Sequence, residues 1–227
     1  MTAQGQQAAE VWRDREFATG WAASDTFGDL LALPRAIAAA LVEQDRPQTL
    51  LVLDIGSGPG AFLAAFLDRF PAAAGVWSDA SEAMLEVARD RLARFGDRVS
   101  YRLGDMTDLA GAGLPAGADV LLTSRAAHHL DAPGLAAFYA EAAGLLSPGG
   151  WLINLDHTGP SDVWDARFRA IRPAFAPPRP DEPKHHHNYP LTSIADHLRG
   201  LAAAGIEDVE IAWKAFYTCL FTGRRAD

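Results

Sequence analysis

The sequence predicts an α/β protein with a doubly wound, mainly parallel seven-stranded sheet and an antiparallel last strand. From residue 50 to residue 156, short apolar runs of strand length alternate with segments of helical periodicity. This alternation is typical of a parallel sheet with helices on both faces. Two β-rich runs, DVEIAW and AFYTCLFTG, come near the end of the chain with very little sequence between them, so we expect them to pair antiparallel.

The N-terminal half supplies a helical cover and four strands. In residues 1–46, apolar side chains recur at helical spacing from Leu33 to Leu41, which predicts a helix. The predicted strands are Leu50–Ile55, Gly75–Trp77, Arg98–Leu103 and Asp119–Thr123. The helices predicted after the first two strands are Pro59–Phe70 and Glu82–Phe95. Ser81 is placed to cap the second of these helices.

The C-terminal half continues the alternation with one insertion. The predicted elements are a helix at Asp131–Leu146, a turn at SPGG, a fifth strand at Trp151–Asp156, a helix around Trp164–Ile171 and a helix at Thr192–Ala204. We therefore predict one domain made of a helical cover (1–46), a core (47–156), an inserted loop rich in Pro and His (157–190) and a last helix with a hairpin (191–227).

Composition limits the classes of function. The 227 residues carry a net charge of −9, which argues against nucleic-acid partners because those require clustered Lys and Arg. A single cysteine, Cys219, excludes an internal disulfide and a cysteine-built zinc site. We found no targeting segment and no apolar run of membrane-spanning length, so we expect a cytoplasmic protein without a membrane partner. Monomer and homodimer both remain open.

The stretch LVLDIGSGPGAF contains a glycine loop that fits two kinds of ligand. Gly56, Gly58 and Ala61 satisfy the dinucleotide pattern G-x-G-x-x-G/A, which places a pyrophosphate at a helix N-terminus. Asp54 comes two residues before the loop, where its carboxylate disfavours an anion and suits an ammonium group. The loop N–H groups would then bind the carboxylate of the same ligand, either directly or through water. A methionine moiety carries both groups.

The order of motifs resembles that of the class I S-adenosylmethionine-dependent methyltransferases of the small-molecule type, which have a Rossmann-like fold. DIGSGPG resembles the first motif of that family, GVWSDAS the end of its second strand, and the Gly-Asp-Met after the third strand its adenine-binding segment. The resemblance implies S-adenosylmethionine as cofactor and S-adenosylhomocysteine as product. The cofactor-binding residues predicted on this basis are Asp54, Gly56, Ser57, Gly58, Asp79, Ala80, Asp105 and Met106. Arg125, just past the fourth strand, is a further candidate for the cofactor carboxylate or an acidic acceptor, with a surface salt bridge as the alternative.

Within this resemblance, Asp79 would bind the ribose hydroxyls and Asp105 the exocyclic amine of adenine. A structural interpretation of each acid stays open beside the functional one. Asp54 would cap a helix or turn, Asp79 would interact with the dipole of the following helix, and Gly104-Asp105 would form an ordinary turn.

Histidines cluster after the predicted fourth and fifth strands, at the edge where doubly wound folds bind ligands. Methyl transfer needs positioning of the reactants and, for a hydroxyl or protonated amine, a base with a pKa near neutrality, which histidine supplies. We predict catalytic roles for His128, His129 and His157. For the pair His128 and His129, a role in backbone orientation or in packing under the cofactor stays open, and for Asp156 and His157 a hydrogen-bond network at the strand end stays open. The predicted substrate contacts are Trp21, Asp156, Trp164, His185, His186, His187 and Tyr189. His197 is interpreted as structural or exposed.

No metal is predicted, because successive histidines on an extended backbone point in opposite directions. A site built from His185 and His187 with Asp156 or His157 stays open as an alternative. We expect a methyltransferase that acts at oxygen or nitrogen of a small-molecule acceptor. Two alternatives remain: a related protein that binds the cofactor but catalyses another reaction or none, and an NAD(P)-dependent oxidoreductase.

Overall fold

The fold is taken from a computed structural model, which describes residues 14–16, 20, 27–45, 50–175 and 190–227. The helices are α1 (Phe27–Asp45), α2 (Ala61–Arg69), α3 (Glu82–Leu92), α4 (Ala132–Leu145), α5 (Asp162–Ile171) and α6 (Ile194–Ala203). The strands are β1 (Leu51–Ile55), β2 (Ala74–Asp79), β3 (Val99–Leu103), β4 (Ala118–Ser124), β5 (Leu146–His157), β6 (Ile206–Ala215) and β7 (Thr218–Arg225).

The seven strands form one sheet in the order β3-β2-β1-β4-β5-β7-β6. Strands β1 to β5 pair in parallel, whereas β7 runs antiparallel to both β5 and β6. The reversal between β6 and β7 occupies only Phe216 and Tyr217. The predicted fold class is therefore confirmed, including the antiparallel last strand.

Apolar side chains cover both faces of the sheet. On one face, α1, α2 and α3 pack over a core that includes Phe62, Phe66 and Trp77. On the other face, α4 and α6 pack over a core that includes Phe138 and Phe221. Burial on both faces explains why the central strands read as continuous apolar runs. None of the helices in the described part of the chain combines the length and apolarity needed to cross a bilayer.

Several element boundaries differ from the sequence prediction. The helix after β2 stops at Leu92 and continues as a 3₁₀ segment to Arg98, because Gly96 lies at φ 55° and ψ −132°, outside helical geometry. The predicted SPGG turn lies inside β5, which begins at Leu146. The pairing of β4 with β5 shifts register between Ala118 and Val120, which accommodates the SPGG residues within the strand.

Side-chain caps fix the helices that follow the strand ends. The hydroxyl of Ser81 accepts from the N–H of Met84 at 3.2 Å, as the sequence predicted for this cap. Asp131 accepts from the N–H of Gly134 at 2.9 Å at the start of α4. Ser193 and Asp196 form a reciprocal capping box at the start of α6. These caps set the helix entry points beside the carboxyl ends of the strands.

Candidate active site

The glycine loop after β1 is bound to the end of β2 at three points. The N–H of Ser57 donates to the carbonyl of Ser78 at 3.0 Å, and the N–H of Gly58 donates to Asp79 Oδ2 at 2.8 Å. The indole N–H of Trp77 donates to the carbonyl of Gly58 at 2.8 Å. Gly58 has φ 53°, and no atom lies within 4 Å of the position that a Cβ would occupy. The loop is therefore rigidly attached on one side and open on the other.

Gly56 brings this loop into contact with the segment that follows β4. A Cβ at Gly56 would lie 2.5 Å from the Cβ of Ala126, a distance that real side chains do not tolerate. The φ of 62° at Gly56 is also unfavourable for other residues. The absence of a side chain at Gly56 therefore allows the two strand ends to approach each other.

Asp54 is fully buried beneath the loop. Its Oδ2 accepts from the hydroxyl of Ser57 at 2.6 Å and from the N–H of Leu63 at 3.1 Å. Leu63 is the third residue of α2, so Asp54 caps this helix, whose own N-cap residue, Gly60, has no side chain. The capping role that the sequence left open is therefore present in the structure.

Burial also changes the acidity of Asp54. Desolvation raises its pKa to about 7, although the bonds from Ser57 and Leu63 and the charge of Arg35 oppose the increase. Its second oxygen, Oδ1, is buried and has no hydrogen-bond partner among the described residues. A buried oxygen of this kind favours a positively charged or hydrogen-bonding ligand.

Two further carboxylates lie at the ends of β2 and β3. Asp79 is partly buried, and desolvation raises its pKa, with a further increase from the negative charge of Asp105. Asp105 accepts through Oδ1 from the N–H and the hydroxyl of Thr107, at 2.9 and 2.8 Å. The N–H of Gly104 donates to the carbonyl of Asp79 at 3.1 Å and holds the two strand ends together. The structure thus brings both predicted acids to one cleft.

The acids of this cleft suit S-adenosylmethionine, whereas the glycine loop is not arranged as the sequence predicted. The open backbone at Gly58, the neighbouring carboxylates of Asp79 and Asp105 and the orphaned oxygen of Asp54 suit a ligand with a diol, an amine and an ammonium group. The predicted binding of a ligand carboxylate by the loop N–H groups needs correction. The N–H groups of Ser57, Gly58 and Gly60 all donate within the protein, and the hydroxyl of Ser57 is bound to Asp54.

The remaining predicted cofactor contacts lie around the same cleft. Ala80 is exposed directly after Asp79, and Met106 is half-buried against the core beneath α4. Arg125 is half-buried at the end of β4, and its φ of 54° is in the left-handed region. Its N–H donates to the carbonyl of Leu155 at 3.0 Å. A non-glycine residue in this conformation often marks a functional site.

Asp156 is fully buried and holds His128, so the predicted substrate contact is wrong and the strand-end network that the sequence left open is present. Its Oδ1 lies 2.5 Å from Nδ1 of His128, and its Oδ2 accepts from the N–H of His128 at 3.0 Å. The N–H of His157 also donates to Oδ1, at 2.7 Å. The carboxylate therefore orients the turn after β4 and the end of β5 together.

The three predicted catalytic histidines form one cluster. The ring centroid of His128 lies 4.2 Å from that of His129 and 5.3 Å from that of His157. His128 is only 2% exposed, whereas His129 and His157 are both half-buried, and the ring nitrogens of His129 are buried. Nδ1 of His157 lies 3.0 Å from Oγ1 of Thr218 on β7.

A second polar network, which the sequence did not predict, crosses the core under α4 and α6. Asn154 donates to the hydroxyl of Tyr139 at 2.8 Å, and this hydroxyl lies 2.7 Å from Nδ1 of His197. Nε2 of His197 lies 3.2 Å from Oγ1 of Thr192. His197 is fully buried, and desolvation lowers its pKa, so its structural interpretation is the one that applies. Its partner Tyr139 is 58 residues away in sequence, which leaves no local signal for this contact.

The remaining predicted substrate contacts lie on α5 or outside the described residues. Trp164 lies on α5 and is 52% exposed. Trp21, His185, His186, His187 and Tyr189 lie outside the described residues. Within the described part of the chain, no group of three His, Cys, Asp or Glu residues has the geometry to hold a metal ion. Both oxygens of Asp156, a residue of the alternative metal site, accept from the protein, whereas His185 and His187 of that site lie outside the described residues.

Comparisons with known proteins agree with this geometry. Residues 52–150 match a methyltransferase domain. The chain is 34% identical over 104 residues to a 3-amino-4-hydroxybenzoate 4-O-methyltransferase from Streptomyces cremeus, covering 45% of this chain and 27% of that protein. It is 36% identical over 126 residues to a trans-aconitate 2-methyltransferase from Methylobacterium radiotolerans, covering 56% of this chain and 44% of that protein. The chain thus spans less than half the length of these relatives.

A solved structure shares the fold over most of the chain. An O-methyltransferase family protein from Burkholderia thailandensis superposes with a TM-score of 0.66 at 24% identity, covering 89% of this chain and 59% of that chain. The sheet order with an antiparallel β7 between β5 and β6 defines the Rossmann-like methyltransferase fold. Residues 52–150 are thus similar to a methyltransferase domain, on a fold that is shared with this O-methyltransferase family protein.

Proposed function

We propose that this protein transfers a methyl group from S-adenosylmethionine to an oxygen atom of a small-molecule acceptor. The observation that carries the proposal is the contact between Gly56 and Ala126. Ala126, two residues before His128, approaches the glycine loop at this point, which supports a common site for the loop and the histidine cluster. A cofactor held by the loop and an acceptor held by the histidines would then lie within reach of each other.

The acids at the strand ends would hold the cofactor. Asp79 would accept from the ribose hydroxyls while it keeps its bond from the N–H of Gly58, since each carboxylate oxygen has two lone pairs. Asp105 would accept from the adenine amine, and Asp54 would face the ammonium group. Bound S-adenosylmethionine supplies a methyl group that is already activated by its sulfonium charge.

His157 would accept the proton of the acceptor hydroxyl. When its Nδ1–H donates to the hydroxyl of Thr218, the lone pair of Nε2 becomes the proton acceptor. Asp156 binds the backbone of His157 and the ring of His128, so it would hold the cluster in place during turnover. We assign His128 a positioning role, because its ring is too buried to touch an acceptor.

Two features support a small acidic acceptor. The matched relatives from Streptomyces cremeus and Methylobacterium radiotolerans are named for a hydroxybenzoate and for trans-aconitate, both of which are small carboxylic acids. Arg125, at the mouth of the cleft, would supply a cation for such a carboxylate. The chain also has few basic residues relative to its acidic ones, which favours a small molecule over a nucleic acid.

The two alternatives receive less support. A nicotinamide-dependent oxidoreductase of the doubly wound class has a parallel sheet in the order 3-2-1-4-5-6, without a strand inserted between the fifth and sixth. Here β7 occupies that place. A protein that binds the cofactor without methyl transfer would share the acids at the strand ends, so only turnover separates it from the enzyme.

The test measures S-adenosylhomocysteine formed from S-adenosylmethionine with a panel of hydroxybenzoates and unsaturated tricarboxylic acids. We expect turnover by the wild type, a loss of about 10²-fold or more in His157→Gln, and a smaller effect in His129→Gln. Calorimetry with S-adenosylhomocysteine should give equal affinities for all three proteins. Binding of NAD(P) but not of S-adenosylhomocysteine would overturn the proposal. An unchanged rate in His157→Gln would remove the assigned base.

The cytoplasmic location, the absence of nucleic-acid, membrane and metal partners, and the choice between monomer and homodimer stay predictions. The division into cover, core, inserted loop and last hairpin is likewise a proposal. The role of the inserted loop over the site depends on residues 176–189, which lie outside the described part of the chain.

A further inference from the structure

Five aromatic side chains form a cluster beside the histidines, and we name it the aromatic wall. It consists of Trp164 and Phe168 on α5, Phe175 just after it, and Phe216 and Tyr217 at the tip of the β6–β7 hairpin. The ring of Phe168 lies 5.6 Å from Trp164, 5.6 Å from Phe216 and 5.4 Å from Tyr217. The ring of Phe175 lies 6.0 Å from that of Phe216. The hairpin tip is thus the base on which α5 rests.

The aromatic wall joins directly to the proposed base. Tyr217 accepts through its carbonyl from the N–H of Thr158 at 2.7 Å, and its hydroxyl donates to Asp165 at 2.8 Å. The next residue, Thr218, carries the hydroxyl that lies 3.0 Å from Nδ1 of His157. An acceptor whose hydroxyl reaches His157 would therefore have the hairpin tip and α5 at its side.

The aromatic wall is not a folding core. Helix α5 has no buried residue, and Trp164 and Phe175 are 52% and 70% exposed. A patch of large exposed apolar side chains at the rim of a cleft is typical of a binding surface. Tyr and Trp side chains also supply a large contact area at a low cost in conformational entropy.

Phe216 occupies a strained position in this cluster. Its φ of 49° lies in the left-handed region, which is unfavourable for a bulky residue and natural for glycine. Lys214 holds the position, since its ammonium group donates to the carbonyl of Phe216 at 2.6 Å and lies 5.1 Å from the ring centroid of Phe168. Glycine at this position would suit the backbone conformation of the hairpin better. The ring of Phe216 therefore contributes something other than turn stability.

We infer that the aromatic wall binds the ring of a planar aromatic acceptor and that Phe216 determines this specificity. The inference rests on the proposed function, because it names the class of acceptor for the same site. A flat ring would stack or pack edge-on against Phe168 and Phe216, while its hydroxyl would point to His157. An acceptor with a saturated, puckered ring would lose these contacts.

The test compares 4-hydroxybenzoate with trans-4-hydroxycyclohexanecarboxylate, which carries the same two groups on a puckered ring. Binding of each probe to the full chain is measured by calorimetry with saturating S-adenosylhomocysteine. We expect the wild type to prefer the aromatic probe by about tenfold and Phe216→Gly to lose most of this preference. Phe216→Gly should keep its melting temperature, because glycine relieves the backbone strain.

Asp208→Gly is the matched control. Asp208 is an exposed residue of β6 with φ 52°, so its substitution relieves similar strain away from the aromatic wall. This variant should keep the full preference for the aromatic probe. Trp164→Ala should reduce the preference without a change in fold, because its side chain is half exposed.

Several outcomes would overturn the inference. These are equal binding of the two probes by the wild type, no binding of the aromatic probe, or an unchanged preference in Phe216→Gly. Self-association of the wild type that Trp164→Ala abolishes, without preference for the aromatic probe, would assign the aromatic wall to a second copy of the chain. A clear preference in a wild type that fails to methylate any acceptor would instead overturn the proposed function alone.

Discussion

Asp156 holds both the ring and the backbone of His128 with its two carboxylate oxygens. Oδ1 lies 2.5 Å from Nδ1 of the ring, and Oδ2 accepts from the N–H of the same residue at 3.0 Å. Because Asp156 is near the end of β5 and His128 follows β4, the pair joins two neighbouring strand ends. The orientation of the histidine cluster thus depends on one buried carboxylate.

Replacement of this carboxylate by an amide tests its role. In Asp156→Asn, the new NH₂ group would meet N–H groups of His128 or His157, because both carboxylate oxygens act as acceptors. We expect a loss of about 1–3 kcal/mol in the free energy of unfolding and a reduced rate of methyl transfer. Urea unfolding measures the first effect. The exposed control Asp90→Asn should stay within about 0.5 kcal/mol of the wild type, and equal stability of both variants would contradict the assignment.

Asp79 is expected to contribute to cofactor affinity. In Asp79→Ala, the ribose acceptor is lost and the N–H groups of Gly58 and Ser81 lose their partner. Calorimetry with S-adenosylhomocysteine should show binding weakened by about 1–3 kcal/mol. The exposed Asp97→Ala serves as control. An unchanged affinity in Asp79→Ala would mean that this carboxylate only supports the loop.

Asp54 makes the stability of the protein depend on pH. Its folded-state pKa of about 7 lies above the ordinary value of 3.8, so folding favours the protonated form. The resulting stabilisation is complete below pH 3.8 and is lost as the pH rises through 7. Between pH 5 and pH 8, the ligand-free wild type should therefore lose stability relative to Asp54→Asn, as measured by melting temperatures.

The same titration tests the ammonium assignment. If Asp54 faces the ammonium group, saturating S-adenosylhomocysteine should stabilise the ionised carboxylate and reduce the loss of stability at high pH. The reduction should be absent in Asp54→Asn. An equal loss with and without the ligand would place the ammonium group elsewhere.

The buried network around Tyr139 should contribute to stability. Tyr139→Phe would leave the side-chain amide of Asn154 and Nδ1 of His197 without the hydroxyl that they share, at a cost of about 1–3 kcal/mol in unfolding free energy. Tyr101→Phe is the matched control, because Tyr101 is a partly exposed tyrosine at the edge of the sheet. Equal unfolding midpoints for the two variants would show that the network does not stabilise the core.

Much of the fold could be predicted because local patterns and global structure agree. Apolar runs of strand length mark β1 and β4, and the Ser81 cap marks the start of α3. The short reversal at Phe216 and Tyr217 requires antiparallel pairing of β6 and β7. The predicted boundaries were wrong where a single residue ends a helix, as at Gly96, and where a predicted turn lies inside a strand, as at the start of β5.

The sequence predicted which residues lie near the site better than it predicted what each of them does there. Acids and histidines at strand ends converge because parallel strands end at one edge of the sheet. The bond of Asp156 to His128 replaced the predicted substrate contact, and the bonds of Gly58 to Asp79 and of Ser57 to Asp54 occupy donors of the glycine loop. Each bond depends on where a side chain points, and sequence periodicity does not contain that information.

By itself, the sequence determined the alternation of strands and helices, the antiparallel end of the sheet, and which polar residues follow each strand. Only the tertiary structure decided that Asp156 supports His128, that the ring nitrogens of His129 are buried, and that Phe216 meets α5. The physical reason is the distance along the chain over which each kind of interaction acts. Backbone propensities and apolar periodicity act over a few neighbouring residues, whereas hydrogen bonds and ring contacts join side chains that are far apart in the chain.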